Sequence, residues 1–125
     1  MNRILVVDDN TLNLELACAA LELAGHETLC AVDGKNAIEM ATAEQPDLIL
    51  MDLRMPVMDG RDAMNLIKAN KLTQHIPVIA LTASAMKGER ERLLASGFDG
   101  YIDKPIDINS FAKTIATFLP QVDQT

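Results

Sequence analysis

Four apolar residues, Leu48-Ile49-Leu50-Met51, run without interruption into a single carboxylate, Asp52. A short continuous apolar run reads as a strand covered on both faces, as in a parallel sheet. Asp52 then falls at the strand's C-terminal end, where open α/β sheets place their chemistry. Pro56 and Asp59-Gly60 follow, and these turn residues reverse the backbone just beyond it. Taken alone, Asp52 reads as a loop cap. Two further apolar strands that also end in polar groups tip the balance towards a site.

The first of these is Ile4-Leu5-Val6-Val7, ended by Asp8-Asp9-Asn10. Asn10 or Thr11 caps the helix that follows. Its apolar stripe reads as Leu12, Leu16, Ala20 and Ala24, and Gly25 ends it. On that reading Leu14 and Cys18 lie off the core stripe, an exposed apolar pair that reads as ordinary surface residues before a docking face for a partner helix. Residues 28–31 form a short second strand. Asp33-Gly34 is a turn, and a second helix over 36–43 turns Ala37, Ile38 and Ala41 inward. Gln45-Pro46 breaks it before the Asp52 strand.

A third helix spans Gly60–Ala69 with Ala63, Met64 and Ile67 as its stripe. Pro77 opens a fourth strand over 78–81, which ends at Thr82. A weakly amphipathic helix covers Lys87–Ser96, and Gly97 terminates it. A fifth strand over 100–102 ends in Asp103-Lys104-Pro105. Asp107 caps the last helix, whose stripe is Ile108, Phe111, Ile115 and Phe118. Strand and helix thus alternate five times without linker or repeat. That order implies a parallel sheet covered by helices on both faces.

The 125 residues suit one domain over 1–125, with a core over 3–119 and a polar tail over 120–125. A chain of this length buries ~65–70% of its unfolded surface, enough for an unaided core. The 49% hydrophobic and 23% charged content is an ordinary globular balance. A net charge of −7 argues against direct nucleic-acid contact, which needs a basic face. Only four apolar residues follow Arg3, too few for a signal peptide. No apolar run approaches the ~20 residues of a membrane span, so a cytoplasmic location without membrane contact is expected. Cys18 and Cys30 make no CxxC motif and read as reduced packing cysteines. His26 and His75 read as surface histidines.

Parallel strands share one C-terminal edge, which gathers Asp8, Asp9, Asp52, Thr82 and Lys104 at one mouth. Three carboxylates there repel each other and call for a cation. Oxygen ligands of this kind suit Mg²⁺, which keeps several waters and often bridges to phosphate. Lys104 supplies a further positive charge and Thr82 a hydroxyl. These are the parts of phosphoryl transfer to a carboxylate nucleophile.

The pattern resembles the receiver domain of bacterial two-component response regulators, and is similar to the stand-alone, chemotaxis-regulator kind. The motifs are Val7-Asp8-Asp9-Asn10, the run from Leu50-Met51-Asp52 through Arg54-Met55-Pro56 to Met58-Asp59-Gly60, Leu81-Thr82-Ala83, and Lys104-Pro105. The resemblance implies a flavodoxin-like, doubly wound sheet of order 2-1-3-4-5 with five helices. It implies that Asp52 accepts a phosphoryl group from the phosphohistidine of a sensor histidine kinase or histidine phosphotransfer protein. Asp9, Asp52 and the Arg54 carbonyl would bind Mg²⁺ directly, and Asp8 through water. Lys104 would contact the phosphoryl group. Thr82 would close onto it while Tyr101 turns inward as the switch. Gly60 and Pro105 are structural, with a cis Lys104-Pro105 bond of the kind X-Pro permits. With no effector domain expected, output would pass to a downstream protein through the fourth helix, fifth strand and fifth helix.

Three rivals differ in class. An aspartate-nucleophile phosphatase would place its nucleophile after the first strand as D-x-D, which Asp8-Asp9-Asn10 does not match. A flavin carrier of this fold is opposed by the absence of Trp, a single Tyr and no Gly/Ser-rich phosphate cradle after the first strand. A phosphorylation-independent scaffold has no use for the acidic trio, Thr82 and Lys104.

Overall fold

The computed structural model describes residues 3–53, 58–82, 87–103 and 108–119. Arg54, Lys104, Pro105 with its expected cis bond, the Asp107 cap and the tail lie outside them. The elements are β1 (Arg3–Val7), α1 (Thr11–Leu23), β2 (Glu27–Ala31), α2 (Gly34–Glu44), β3 (Leu48–Asp52), α3 (Gly60–Ala69), β4 (Val78–Thr82), α4 (Lys87–Ser96), β5 (Gly100–Asp103) and α5 (Ile108–Phe118). All strand pairs are parallel and the order is β2-β1-β3-β4-β5, a flavodoxin-like sheet.

Strand position explains strand composition. β3 and β4 are buried throughout and β1 almost so, whereas the edge strands β2 and β5 are largely exposed or half-buried. Side chains alternate across the sheet. Ile4, Val6, Leu48, Leu50, Ile79 and Leu81 face α1 and α5. Leu5, Val7, Ile49, Met51, Val78 and Ala80 face α2, α3 and Leu93 of α4. The split follows from right-handed crossovers. The step from β1 to β2 runs one way along the sheet, and the steps that follow run the other way. Their helices therefore land on opposite faces. The reversal opens a crevice between the C-terminal ends of β1 and β3.

Helix ends are set by local chemistry. Asn10, Asp33 and Asp59 are N-caps whose side chains accept from the N–H groups of Asn13, Asn36 and Asp62 at 3.1, 2.7 and 3.0 Å. α2 stops at Gln45, which takes the left-handed region at φ 49°. Its backbone N–H and its Nε2 both donate to the Ala41 carbonyl, and Nε2 also reaches the Thr42 carbonyl at the helix end.

The N-terminal edge of the sheet is stitched by ions. The Arg3 guanidinium donates to the Glu44 carbonyl at 2.8 Å, and the Arg3 N–H donates to Asp47 Oδ2 at 2.8 Å. Lys68 Nζ donates to the Ile76 carbonyl and to Asp99 Oδ2, and that same oxygen accepts from Val78 N–H. This edge holds the fold together, and the opposite edge carries the acids.

One helix faces otherwise than its sequence suggests. α1 buries Leu14, Ala17, Cys18, Ala20 and Leu21, and it exposes Leu12 at 74%, Leu16 at 39% and Leu23 at 85%. The stripe expected at Leu12, Leu16, Ala20 and Ala24 is wrong in all but Ala20, and Leu14 and Cys18 belong to the core. Spacing by four drifts about 40° per step around a helix with 3.6 residues per turn, so it cannot hold one face. Leu14, Ala17, Cys18 and Leu21 follow the i, i+3, i+4, i+7 pattern that does.

Candidate functional site

Three strand ends build the mouth. β1 runs out into Asp8, whose N–H still pairs with the Ala31 carbonyl of β2 at 3.1 Å. That bond carries the pairing one residue past β1 and holds Asp8 in place, 2% exposed. One of its oxygens, Oδ1, accepts from the Asn10 N–H at 2.9 Å, which folds the backbone around the carboxylate. Asp9 sits on that bend, exposed. Asp52 closes β3 beside Leu81 of β4 and is 5% exposed.

The backbone beyond Asp52 is fixed from two sides. Leu53 N–H donates to the Leu81 carbonyl, and Gly60 N–H donates to the Leu53 carbonyl at 3.0 Å. α3 begins so close to this turn that a Cβ on Gly60 would collide with the Asp52 carbonyl oxygen and lie 2.9 Å from Leu53 Cα. Glycine is required there by close approach.

The carboxylates converge as their positions in the sequence suggest. Asp8, Asp9 and Asp52 each offer an oxygen within 4.8 Å of the others. Two of the three are buried, so their mutual repulsion is little screened by water. A hard divalent cation fits this donor set, since it satisfies several carboxylate oxygens at once and cancels the repulsion. Among the described residues this is the only group of three such ligands, and neither His26 nor His75 belongs to it.

The remaining expected residues divide. Thr82 is buried at 5% exposure, one residue beyond the β4 partner of Asp52, on the same sheet edge. Tyr101 lies in register with Ala80 on β5 and is half-buried against the α2–α3 face. Arg54, Lys104 and Pro105 lie outside the described residues. No described helix is long and apolar enough to cross a membrane.

Comparison with known proteins agrees with this geometry. Residues 4–116 match the response regulator receiver domain. The polar-differentiation response regulator DivK of Brucella abortus is 40% identical over 116 residues, which cover 93% of this chain and 94% of that one. Chemotaxis response regulator CheY4 of Vibrio cholerae superposes with a TM-score of 0.89 at 28% identity, covering 95% of this chain and 99% of that one. The receiver domain of a Pseudomonas aeruginosa sensor histidine kinase, with a magnesium ion coordinated in its active-site cleft, superposes with a TM-score of 0.84 at 35% identity, covering 93% and 95%. The agreement runs from β1 into α5 and takes in all three carboxylates, so the chain belongs to the response regulator receiver domains, as a phosphoaccepting signalling protein rather than an enzyme.

Proposed function

We propose that Asp52 is the phosphoryl acceptor and that Mg²⁺ is the cation of the acidic mouth. One observation carries this reading: Asp52 ends the central strand at the topological reversal, buried, with its oxygen within 4.8 Å of those of Asp8 and Asp9. Asp8 already spends one oxygen on the Asn10 N–H, and Asp9 is the exposed member, suited to meet a hydrated ion. Asp52, the carboxylate that directly ends the central strand, is the nucleophile in this reading. A bound Mg²⁺ would supply charge neutralisation between the attacking carboxylate and the incoming phosphoryl oxygens. Asp9, Asp52 and the Arg54 carbonyl are its direct ligands in this reading, with Asp8 acting through water.

A receiver implies a histidine kinase as partner, and the phosphoryl source is a phosphohistidine of that kinase or of a phosphotransfer protein. A carboxylate oxygen of Asp52 attacks phosphorus, and the new O–P bond forms as the N–P bond to the donor imidazole breaks. The imidazole nitrogen leaves with its electron pair. Lys104 offsets charge on the phosphoryl oxygens, and the Thr82 hydroxyl donates to one of them. That movement draws on the chain after β4 and lets Tyr101 turn inward. α4, β5 and α5 then form the surface that a downstream protein reads, within a cytoplasmic pathway.

Incubation with acetyl phosphate and Mg²⁺ tests the acceptor. The wild type should gain one phosphoryl group by intact mass, and Asp52→Asn none. Stoichiometric labelling of Asp52→Asn would move the acceptor elsewhere in the mouth.

A further inference from the structure

Away from the acidic mouth, the two cysteines that make no motif in the sequence meet in space. Cys18 lies on the inner face of α1 and Cys30 on the edge strand β2, and their Sγ atoms are 2.9 Å apart. Both are free thiols. They differ in access, since Cys18 is buried at 8% exposure and Cys30 is exposed. We propose that Cys18 and Cys30 are a redox site that closes reversibly into an intramolecular disulfide between α1 and β2.

The geometry needs little change. A disulfide holds its sulfurs at 2.03–2.05 Å, so the pair must approach by only about 0.9 Å. The strand that carries Cys30 is fixed in place, since β2 is in register with β1 and Cys30 lies opposite Val6. α1 lies over the face of the sheet that Val6 occupies. Closing the bond therefore joins two elements that already pack together.

Unequal access gives each thiol a separate task. Cys30 meets the oxidant, here a hydroperoxide such as hydrogen peroxide. Its thiolate sulfur attacks one peroxide oxygen, the O–O bond breaks, and hydroxide leaves to become water. Cys30 is then a sulfenic acid. Burial, and then the hydrogen bond with Cys30, push the Cys18 thiol up to about 12 in the reduced pair, and burial keeps its sulfur from oxidants in solvent. It reacts only with the sulfur beside it. Cys18 Sγ attacks Cys30 Sγ, the S–O bond breaks, and the leaving hydroxide takes the Cys18 proton as a second water. Two thiols lose two electrons in all, and one peroxide becomes two waters. A dithiol reductant reverses the bond by exchange.

The test uses the whole chain, reduced and then exposed to hydrogen peroxide. Intact mass and alkylation with iodoacetamide are read without reductant. The expected product is a monomer lighter by two hydrogen atoms, with neither cysteine alkylated and both restored by dithiothreitol. Cys18→Ser and Cys30→Ser should each lose this product, and Cys18→Ser should instead gain oxygen at Cys30. Three outcomes in the wild type would overturn the proposal: no change in mass, stable oxygen addition at Cys30 without a crosslink, or a disulfide-linked dimer through Cys30.

Discussion

Gly60 shows how one missing side chain fixes a site. Its Cα sits where a Cβ would strike the Asp52 carbonyl, a backbone atom that cannot rotate aside. Gly60→Ala should therefore cost about 1–3 kcal/mol, the usual range for forcing extra volume into a packed region. Urea denaturation measures that cost. Phosphoryl uptake from acetyl phosphate should fall in the same variant, because the displaced atoms belong to Asp52 itself. A second prediction concerns Cys18 in the reduced protein. Its thiol, ordinarily near 9.0, is raised to about 12, chiefly by burial and then by the hydrogen bond with Cys30. Between those values the folded chain keeps a proton that the unfolded chain has lost, so stability falls as pH rises. The advantage is full below 9.0 and declines towards 12. Under reducing conditions, the stability margin of wild type over Cys18→Ala should be smaller at about pH 10 than at about pH 7. An unchanged margin would mean that Cys18 titrates as an ordinary thiol.

Over its described side chains, α4 is held lightly. Among its described side chains, over 91–96, Leu93 alone is buried, while Leu94 is 49% exposed. α3 by contrast buries Gly60, Ala63, Met64 and Ile67. Helical stability in proteins comes mainly from such an apolar face. Amide hydrogen exchange should therefore be faster across α4 than across α3, with opening reached at lower free energy. Equal protection in the two helices would contradict this. A lightly held element is what a switch surface requires, since a small bias then changes its population. α1 lies at the other extreme, with apolar residues on both faces and only one face used. Leu12, Leu16 and Leu23 remain exposed while Leu14, Ala17, Cys18 and Leu21 pack.

At the scale of the molecule, the two sheet edges divide the work. Arg3, Asp47, Lys68 and Asp99 join strands and helices at the N-terminal edge. Asp8, Asp9 and Asp52 crowd the C-terminal edge, where their repulsion opposes folding. A cation that binds only the folded chain stabilises it by mass action, by about 1.4 kcal/mol at ten times its dissociation constant. Mg²⁺ in the millimolar range should thus raise the melting temperature by about 3–6 °C, given that ~1 kcal/mol shifts a domain near this size by about 4 °C. EDTA should reverse the shift, and Asp9→Ala should reduce it sharply. An equal shift in Asp9→Ala would remove that residue from the site.

Element order, the buried strands and the acidic mouth are readable from the amino-acid sequence alone. Each rests on near-neighbour chemistry. The runs 4–7 and 48–51 are apolar at every position, so their burial does not depend on choosing a face. In parallel strands, the residue after such a run falls on a known edge, which is why Asp8, Asp9, Asp52 and Thr82 were legible without coordinates. Tertiary structure decided what the local pattern left degenerate. α1 carries leucines on several faces, and only packing against β1, β2 and α5 selects Leu14 and Leu21 over Leu12 and Leu16. The meeting of Cys18 with Cys30 depends on that same choice of face, together with the register of β2 on β1. Twelve residues of separation state nothing about it, because a helix face and a strand face are brought together only by the sheet that lies beneath both.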